Sequence, residues 1–477
     1  MRVWLKSISQ RSPSDYETEM ISQQLPRTAI IGAGSSGITA LKTFAARGFD
    51  VVCFEASNRV GGNWVYENIN GTSACYRDLH INTSRLRMAY SDYPMPVDYP
   101  DYPSHAQIAA YFDDYVDHFG VRDRIRFETS VKHAERLSDG TWELTLGDGS
   151  SERFDALVVA NGHHWDPRWP EPAFTGSDSF EGQQMHAHSY MRPDDLVGKE
   201  VVVLGIGNSA MDISVEASYT AEKVYLSARR GAHIVPKYMF GKPTDQLGGW
   251  VNPRIPFKLR QLAVAKLINT YVGKVTDFGL PEPDHQFGQA HPTVSGRILD
   301  RITHGAITVK PNIRRLDGDE VEFEDGSRVH ADVVIYCTGY KITFPFFDRD
   351  LISAPENRID LYRRVFRPDI PNLFFIGLLQ PLGAVMPLSE AQGCWVADYL
   401  SGRYKLPPVG EMRSFMAADM AKMQKRYVAS KRHTIQVDFD DYLYELGKEL
   451  AAGEGRARAS GNQHPVASLA VRDGAAA

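Results

Sequence analysis

The stretch Thr28–Gly37, with the sequence TAIIGAGSSG, limits the possible folds of this chain more than any other segment. A short apolar run leads into a turn with three glycines, and a segment with helical periodicity follows. The first glycine permits a tight turn, the second lets the backbone approach a pyrophosphate, and the third lets helix and strand pack closely. A helix N-terminus also favours a phosphate through its free N–H groups and its dipole. The residues expected to surround that phosphate are Gly32, Ala33, Gly34, Ser35, Ser36 and Gly37.

A second predicted strand, Asp50–Glu55, strengthens this interpretation. It ends in an acid 18 residues after Gly37, where a carboxylate can accept a hydrogen bond from a ribose hydroxyl. Three spaced glycines alone are a weak signal. Together with the strand, the helix and Glu55 they predict a dinucleotide-binding unit rather than a merely structural turn.

A similar arrangement recurs in Glu200–Ser218, where Gly205 and Gly207 form a second glycine turn before a predicted helix. The strand that follows it does not end in an acid but in Ser227 and Arg229. An acid favours a free ribose hydroxyl, whereas arginine accommodates a 2′-phosphate. The first site is therefore expected to bind FAD and the second NADPH. The alternative for Arg229 is a solvated surface charge.

The spacing of the two turns predicts two domains. They lie 173 residues apart (205 − 32), which is too far for the two halves of one nucleotide-binding fold. The predicted fold is α/β, with two Rossmann-like dinucleotide-binding domains and the NADPH domain inserted into the FAD domain. The predicted segments are a flexible leader (1–26), the FAD domain (27–172), the NADPH domain with a helical insertion (173–330), the rest of the FAD domain (331–450) and a disordered tail (451–477).

Local signals place two helices. Ser104 is expected to cap a helix that runs to Phe119, and Ser389 with Gln392 fits a capping box at the start of another. The basic segment 254–274 fits an amphipathic helix that packs on its own domain, with contact to a membrane surface as the alternative.

Bulk properties exclude several classes of protein. The formal net charge is -6, which gives no reason to expect nucleic acid as a partner. The four cysteines form no CxxC pair, so neither a metal site nor a redox-active dithiol is predicted. No apolar run is long enough for a transmembrane span, and a reducing cytoplasm is expected.

Several motifs resemble those of the class B flavin-containing monooxygenases, most closely the animal-type enzymes, over residues 27 to 447. The identifying motif is Phe180-x-Gly182-x-x-x-His186-x-x-x-Tyr190, and the Baeyer–Villiger branch usually has tryptophan at its last position. Other matches are GIGNSAMD (205–212), INTS (81–84), CTGY (337–340), IGLLQPLGAVMP (376–387) and KRYVASKRHTIQ (425–436). Many animal members end in an apolar membrane anchor, and no such anchor is expected for this chain.

The resemblance implies an NADPH- and dioxygen-dependent enzyme that oxygenates soft nucleophiles, an amine nitrogen or a sulfide sulfur, through a 4a-hydroperoxyflavin. The expected partners are small-molecule amines or sulfides and dioxygen, and a homodimer is left open. The cofactor carries this chemistry, so no catalytic triad or carboxylate pair is needed.

The resemblance also implies roles for individual residues. Asn82 matches the family asparagine at the flavin face and is the candidate catalytic residue, with loop capping as the alternative. His186 is assigned to a segment that connects the domains, not to catalysis. The remaining matched cofactor positions are Asn63, Trp64 and Thr83 for FAD and Asn208, Ser209 and Asp212 for NADPH, although Trp64 could equally be a core residue.

Three other functions remain open at this point. A Baeyer–Villiger oxygenase would use the same cofactors on ketones, through the unprotonated peroxide. A disulfide reductase shares the two-domain plan but needs a dithiol, which the cysteine spacing does not provide. A non-catalytic flavoprotein would bind nucleotide without turnover.

Overall fold

The computed structural model describes residues 24–247, 255–427 and 434–469. Residues 1–23 of the leader, 248–254 of the insertion, 428–433 of the KRYVASKRHTIQ segment and 470–477 of the tail lie outside this description.

The described chain contains both strands and α-helices, and long runs of strands separate the helices. The strands are β1 Thr28–Ile31, β2 Val51–Phe54, β3 Ile125–Arg126, β4 Val131–Arg136, β5 Trp142–Leu146, β6 Ser151–Phe154, β7 Ala156–Val159, β8 Asp166–Pro167, β9 Gln183–His186, β10 Glu200–Leu204, β11 Lys223–Ser227, β12 Ile234–Val235, β13 Tyr238–Met239, β14 Lys242–Pro243, β15 Thr293–Val294, β16 Thr308–Lys310, β17 Ile313–Asp317, β18 Glu320–Phe323, β19 Arg328–His330, β20 Val333–Tyr336, β21 Tyr340–Lys341, β22 Phe366–Arg367, β23 Ile370–Phe375, β24 Gln380–Leu382 and β25 Gln436–Asp438. The α-helices are α1 Ser35–Ala46, α2 Arg85–Met88, α3 His105–His118, α4 Asn208–Ala217, α5 Thr244–Leu247, α6 Phe257–Val272, α7 Ile298–Thr303, α8 Met386–Leu400, α9 Val409–Arg426 and α10 Phe439–Ala459.

The first domain is built on a six-stranded sheet in the order β22-β23-β7-β1-β2-β3. Strand β1 is central and pairs in parallel with β2 and β7. Its residues are buried, as expected for a strand covered on both faces. Because β22 and β23 come from the last third of the chain, this domain is assembled from two distant segments.

The second domain is built on a five-stranded parallel sheet in the order β16-β11-β10-β20-β9. All five strands lie between β7 and β23 in the sequence, so the second domain is inserted into the first, as the glycine spacing predicts. The boundary predicted at residue 331 is wrong for Val333–Tyr336, because this strand pairs with β10 and β9 of the second sheet. The chain returns to the first domain only after β20.

Of the two helix starts predicted from capping residues, one is found and the other is not. Ser104 caps helix α3, as predicted, and it also forms a capping box with Gln107. The capping box predicted at Ser389 is wrong, because helix α8 begins earlier, at Met386, with Pro387 in its first turn. Instead, Gln392 Oε1 accepts a hydrogen bond from the backbone N–H of Gly377, at 2.8 Å.

The predicted disordered tail is wrong for residues 451–459. Helix α10 continues to Ala459 and buries Leu446 and Leu450 in the core of the first domain. A Cβ on Gly453 would lie only 1.9 Å from the ring of Tyr404, so the small residue permits close packing. Tertiary packing therefore outweighs the low helix propensity of glycine in this segment.

Helix α6 covers most of the basic segment 254–274. Ile268 is buried against Val235 and Met239 of its own domain. Leu259 and Leu262, in contrast, are 59% and 64% exposed. One face of helix α6 therefore packs on its own domain. Membrane contact stays a prediction for the exposed face. Within the described ranges, no helix is both long and apolar enough to cross a membrane.

Candidate active site

The two glycine turns open onto one large cavity. Each turn follows the carboxyl end of a central parallel strand, β1 in the first sheet and β10 in the second. The cavity has a volume of about 2040 Å³ and is lined by residues of both turns. Nucleotides bind outside the carboxyl ends of parallel strands in open α/β sheets, so two nucleotides could meet here.

The first turn has the geometry that its glycines predict. Gly32 has a φ of +98°, and a Cβ there would lie 2.8 Å from the carbonyl oxygen of Ala160. A Cβ on Gly37 would lie 1.8 Å from the carbonyl oxygen of Gly32. Helix α1 has Gly34 at its N-cap without a side-chain cap, which leaves the first-turn N–H groups for a bound anion. This cradle fits the pyrophosphate of FAD.

Glu55 lies at the end of β2 and lines the cavity. Its two carboxylate oxygens accept hydrogen bonds from the backbone N–H groups of Ala33 and Ser57, at 2.7 and 2.8 Å. Burial raises the pKa of this carboxyl group, while the backbone hydrogen bonds oppose the rise. The acid therefore fixes the glycine turn to β2, and its contact with a ribose stays a prediction.

Of the other residues predicted on the flavin side, Ser35, Ser36, Asn63 and Trp64 line the same cavity, whereas Ala33 and Gly37 do not. The side-chain oxygen of Asn63 accepts a hydrogen bond from the backbone N–H of Ala74, at 2.7 Å. Trp64 is half-buried and packs against the core while also facing the cavity, so its contact with the flavin stays a prediction. Ser36 shares a hydrogen bond of 2.9 Å with Ser389 of helix α8.

Asn82 also lines the cavity, next to Thr83. Its side-chain oxygen is buried and has no hydrogen-bond partner among the described residues. An asparagine that capped a loop would use this oxygen as an acceptor, so the capping interpretation is disfavoured. Because buried polar atoms are nearly always paired, the orphaned oxygen fits a site that is completed by a bound group.

The second turn repeats the design of the first. Gly205 has a φ of +140°, and a Cβ there would lie 2.9 Å from the carbonyl oxygen of Cys337. Helix α4 begins at Asn208 without a side-chain cap. The side chain of Asn208 accepts a hydrogen bond from the backbone N–H of Val294, at 2.9 Å. Gly207 and Ser209 line the cavity at the helix start, which fits the phosphates of NADPH.

Asp212 is one turn into helix α4 and lines the cavity. Its carboxylate accepts a hydrogen bond from the hydroxyl of Tyr76, at 2.8 Å, which links it to the loop that leads to Asn82. Burial raises the pKa of Asp212, and the bond from Tyr76 opposes that rise.

The residues near the end of β11 that are predicted to bind NADPH differ in their exposure to the cavity. Arg229 is exposed at the rim of the cavity, and its guanidinium has no ion pair among the described residues. Its neighbour Arg230 also lines the cavity but pairs with Asp284, at 2.6 Å. The cofactor contact predicted for Ser227 is wrong: its side chain is fully buried, and its hydroxyl donates to the carbonyl oxygen of Pro311.

The motif Phe180–Tyr190 contributes strand β9 to the edge of the second sheet, so it belongs to the second domain rather than to a connecting segment. Burial lowers the pKa of His186 to about 4, so the imidazole is neutral, and its Nδ1 accepts a hydrogen bond from the backbone N–H of His188. The hydroxyl of Tyr190 donates to Glu216 of helix α4, at 2.8 Å. These contacts hold the motif on the second domain, and the exclusion of His186 from the catalytic set stays a prediction.

Several charged residues that line the cavity were not predicted. Asp245 and Arg260 come from the insertion, and Arg87 and Asp440 from helices of the first domain. Arg87 pairs with Asp440 at 3.3 Å, and Arg260 pairs with Asp441 at 2.8 Å. No spacing motif joins these residues in the sequence, since they are brought together only by the folding of distant segments.

Comparison with known proteins identifies the family. The family model described as "Flavin-binding monooxygenase-like" matches residues 26–455. Flavin-containing monooxygenase 5 of Rattus norvegicus is 39% identical over 88% of this chain and 82% of its own length. Dimethylaniline monooxygenase [N-oxide-forming] 2 of Mus musculus is 32% identical, over 89% of this chain and 83% of its own length.

The solved structures agree with this assignment. S-allyl-L-cysteine S-oxygenase from Allium sativum superposes with a TM-score of 0.68 at 26% identity, over 91% of this chain and 90% of that protein. The predicted fold class, family and cofactors, FAD and NADPH, are thereby confirmed. The chain belongs to the flavin-binding monooxygenase-like family and is an NADPH-dependent flavin monooxygenase.

Proposed function

We propose that this enzyme oxygenates soft nucleophiles, namely an amine nitrogen or a sulfide sulfur. One oxygen atom of dioxygen goes to the substrate and the other to water, while NADPH supplies two electrons and becomes NADP⁺. FAD and NADPH, when bound, supply the hydride transfer and the activation of oxygen. The protein's contribution is to bind them, to orient the substrate and to exclude water.

The observation that carries this proposal is the unpartnered side-chain oxygen of Asn82 in the cavity. A neutral acceptor favours a bound group that has a proton to donate. Attack by an amine or a sulfide requires the protonated, electrophilic form of the reactive oxygen. A Baeyer–Villiger reaction requires the deprotonated, nucleophilic form instead.

The charges around the cavity also support the proposal. An anionic oxygen would be stabilised by an unpaired cation close to it. Arg87 and Arg260 both line the cavity, but each is paired with a carboxylate at the start of helix α10. Arg229, which has no ion pair among the described residues, lies at the rim of the cavity, where it is predicted to bind the 2′-phosphate of NADPH. The similarity to an N-oxide-forming enzyme and to an S-oxygenase points in the same direction.

A comparison of three substrates tests this function. We expect a tertiary amine and a thioether to accelerate NADPH oxidation and to gain one oxygen atom, detected by mass spectrometry. A ketone of similar size should yield no ester. An ester product would favour the Baeyer–Villiger alternative. NADPH oxidation that no substrate accelerates, without any oxygenated product, would favour a non-catalytic flavoprotein.

The substitution Asn82→Asp tests the role of the amide. We expect NADPH oxidation to continue while the product formed per NADPH falls about 10-fold, with hydrogen peroxide released instead, because aspartate lacks the amide N–H donor and adds a negative charge beside the reactive oxygen. Product, peroxide and NADPH are measured in the same reaction. The control Asn269→Asp makes the same chemical change at an exposed position of helix α6 and should leave the ratio unchanged. An unaltered ratio in Asn82→Asp would remove this asparagine from the mechanism.

We further propose that the enzyme works in the cytoplasm. All four cysteines are free, and three of them are buried in the core. Secreted proteins usually pair their cysteines in disulfides, whereas free thiols are typical of a reducing compartment.

A further inference from the structure

We propose that Asp245 positions the loop that carries Asn82, a role that rests on the function proposed above. Asp245 lies on the short helix α5 of the inserted domain, whereas Asn82 belongs to the first domain. One carboxylate oxygen of Asp245 accepts a hydrogen bond from the backbone N–H of Ser84, at 2.6 Å. Ser84 is fully buried and lies two residues after Asn82.

Two more side chains of the same segment hold this loop. The amide nitrogen of Gln246 donates to the hydroxyl of Ser84, at 3.1 Å. The ammonium group of Lys237 donates to the carbonyl oxygen of Ile81, at 3.4 Å. The inserted domain therefore contacts the loop on both sides of Asn82.

The first domain holds the loop through backbone bonds. The N–H of Ile81 donates to the carbonyl oxygen of Pro103, at 3.1 Å, and the N–H of Arg85 donates to that of Asp101, at 2.8 Å. The side-chain oxygen of Asn82 has no partner among the described residues. The position of this amide therefore depends on how firmly the loop is held rather than on a contact of its own.

The segment that carries Asp245 is anchored to the second glycine turn. Strand β12 pairs with β15, whose Val294 donates its backbone N–H to the side chain of Asn208. The hydroxyl of Thr293 donates to the carbonyl oxygen of Ile206, at 2.6 Å. Asp245 thus belongs to a segment that is hydrogen-bonded to the NADPH side of the cavity, and from this segment it holds the Asn82 loop.

Removing the carboxylate would leave the N–H of Ser84 buried without a partner. A buried donor that loses its partner pays its full desolvation cost, so the loop should leave its native position more often. Asparagine at position 245 keeps an acceptor oxygen and should preserve the bond. The pair Asp245→Ala and Asp245→Asn therefore separates loss of the acceptor from loss of the charge.

Amide hydrogen exchange of the FAD-loaded enzyme tests the proposal without relying on turnover. We expect exchange in residues 79–86 to rise by about 10-fold or more in Asp245→Ala, since local opening becomes easier. Asp245→Asn should stay close to the native rate. Asp277→Ala removes an exposed carboxylate from the same insertion and should not change the rate.

A second measurement separates positioning from general stability. In Asp245→Ala we expect more hydrogen peroxide per NADPH, with FAD content and NADP⁺ affinity unchanged and with recovery in Asp245→Asn. If Asp245→Ala does not retain FAD, the same exchange and peroxide measurements are made on Gln246→Ala, for which a smaller increase in both is expected. Unchanged exchange, or faster exchange without extra peroxide, would overturn the proposal. The exchange rate does not depend on which substrates the enzyme oxygenates. If the substrate test contradicts the proposed function, the exchange result can therefore still support the role of Asp245 in holding the loop.

Discussion

Replacing Arg229 with alanine is expected to lower kcat/KM for NADPH by about 10- to 150-fold while leaving the value for NADH nearly unchanged. The loss corresponds to about 1.5–3 kcal/mol, the range for a hydrogen bond to a charged group. Arg229 lies at the end of β11, at the rim of the cavity and close to the second glycine turn. Only NADPH carries the 2′-phosphate that a guanidinium at this position would bind.

The adjacent arginine provides a matched control. Arg230 carries the same charge, but its guanidinium is paired with Asp284 at 2.6 Å. Arg230→Ala should therefore reduce the preference for NADPH much less than Arg229→Ala does. Initial rates with both nucleotides give the two kcat/KM values for each variant. An equal loss with NADH and NADPH in Arg229→Ala would show that this arginine does not recognise the 2′-phosphate.

The parts of the site that were predictable are those encoded locally. Each glycine turn is a short strand–turn–helix unit in which the roles of Gly32 and Gly37 follow from backbone geometry alone. Ser104 is a similar case, because a capping box involves residues only three positions apart.

The errors arise where distant contacts decide the outcome. The buried run Val333–Tyr336 would fit either sheet, and only its pairing with β9 and β10 assigns it to the second one. Ser227 ends strand β11 at the expected place. Its hydroxyl, however, donates a hydrogen bond to the carbonyl oxygen of Pro311, which lies 84 residues later in the chain. Such partners leave no pattern in the local sequence.

Asp245 shows the same limit for function. It lies 161 residues from Ser84 in the sequence, and no motif surrounds it. Its importance becomes visible only when the inserted domain folds back onto the Asn82 loop. The sequence motifs therefore identify the residues that are proposed to contact the cofactors better than those that hold them in position.

The substitution Gly37→Ala should have the largest effect on the protein as a whole. A Cβ at this position would lie 1.8 Å from the carbonyl oxygen of Gly32, and 2.9 Å from its carbonyl carbon. Both atoms belong to the backbone of the turn, so no flexible side chain can move aside. Helix α1 must shift away from β1, which would open the phosphate cradle. We expect the free energy of unfolding to fall by about 3 kcal/mol and the purified protein to lose most of its FAD.

The control is Gly455→Ala, the same change inside helix α10. A Cβ there would meet no atom within 4 Å, and the helix continues on both sides. Alanine should therefore stabilise the protein by about 0.5–1 kcal/mol, because glycine is the poorer helix former. Denaturant unfolding gives the stabilities, and the flavin absorbance relative to the protein absorbance gives the FAD content. If Gly37→Ala keeps its FAD and its stability, the close approach of helix and strand is not what forms the cradle. The specific requirement for glycine would then lie elsewhere in the turn, at Gly32, where the positive φ excludes most other residues.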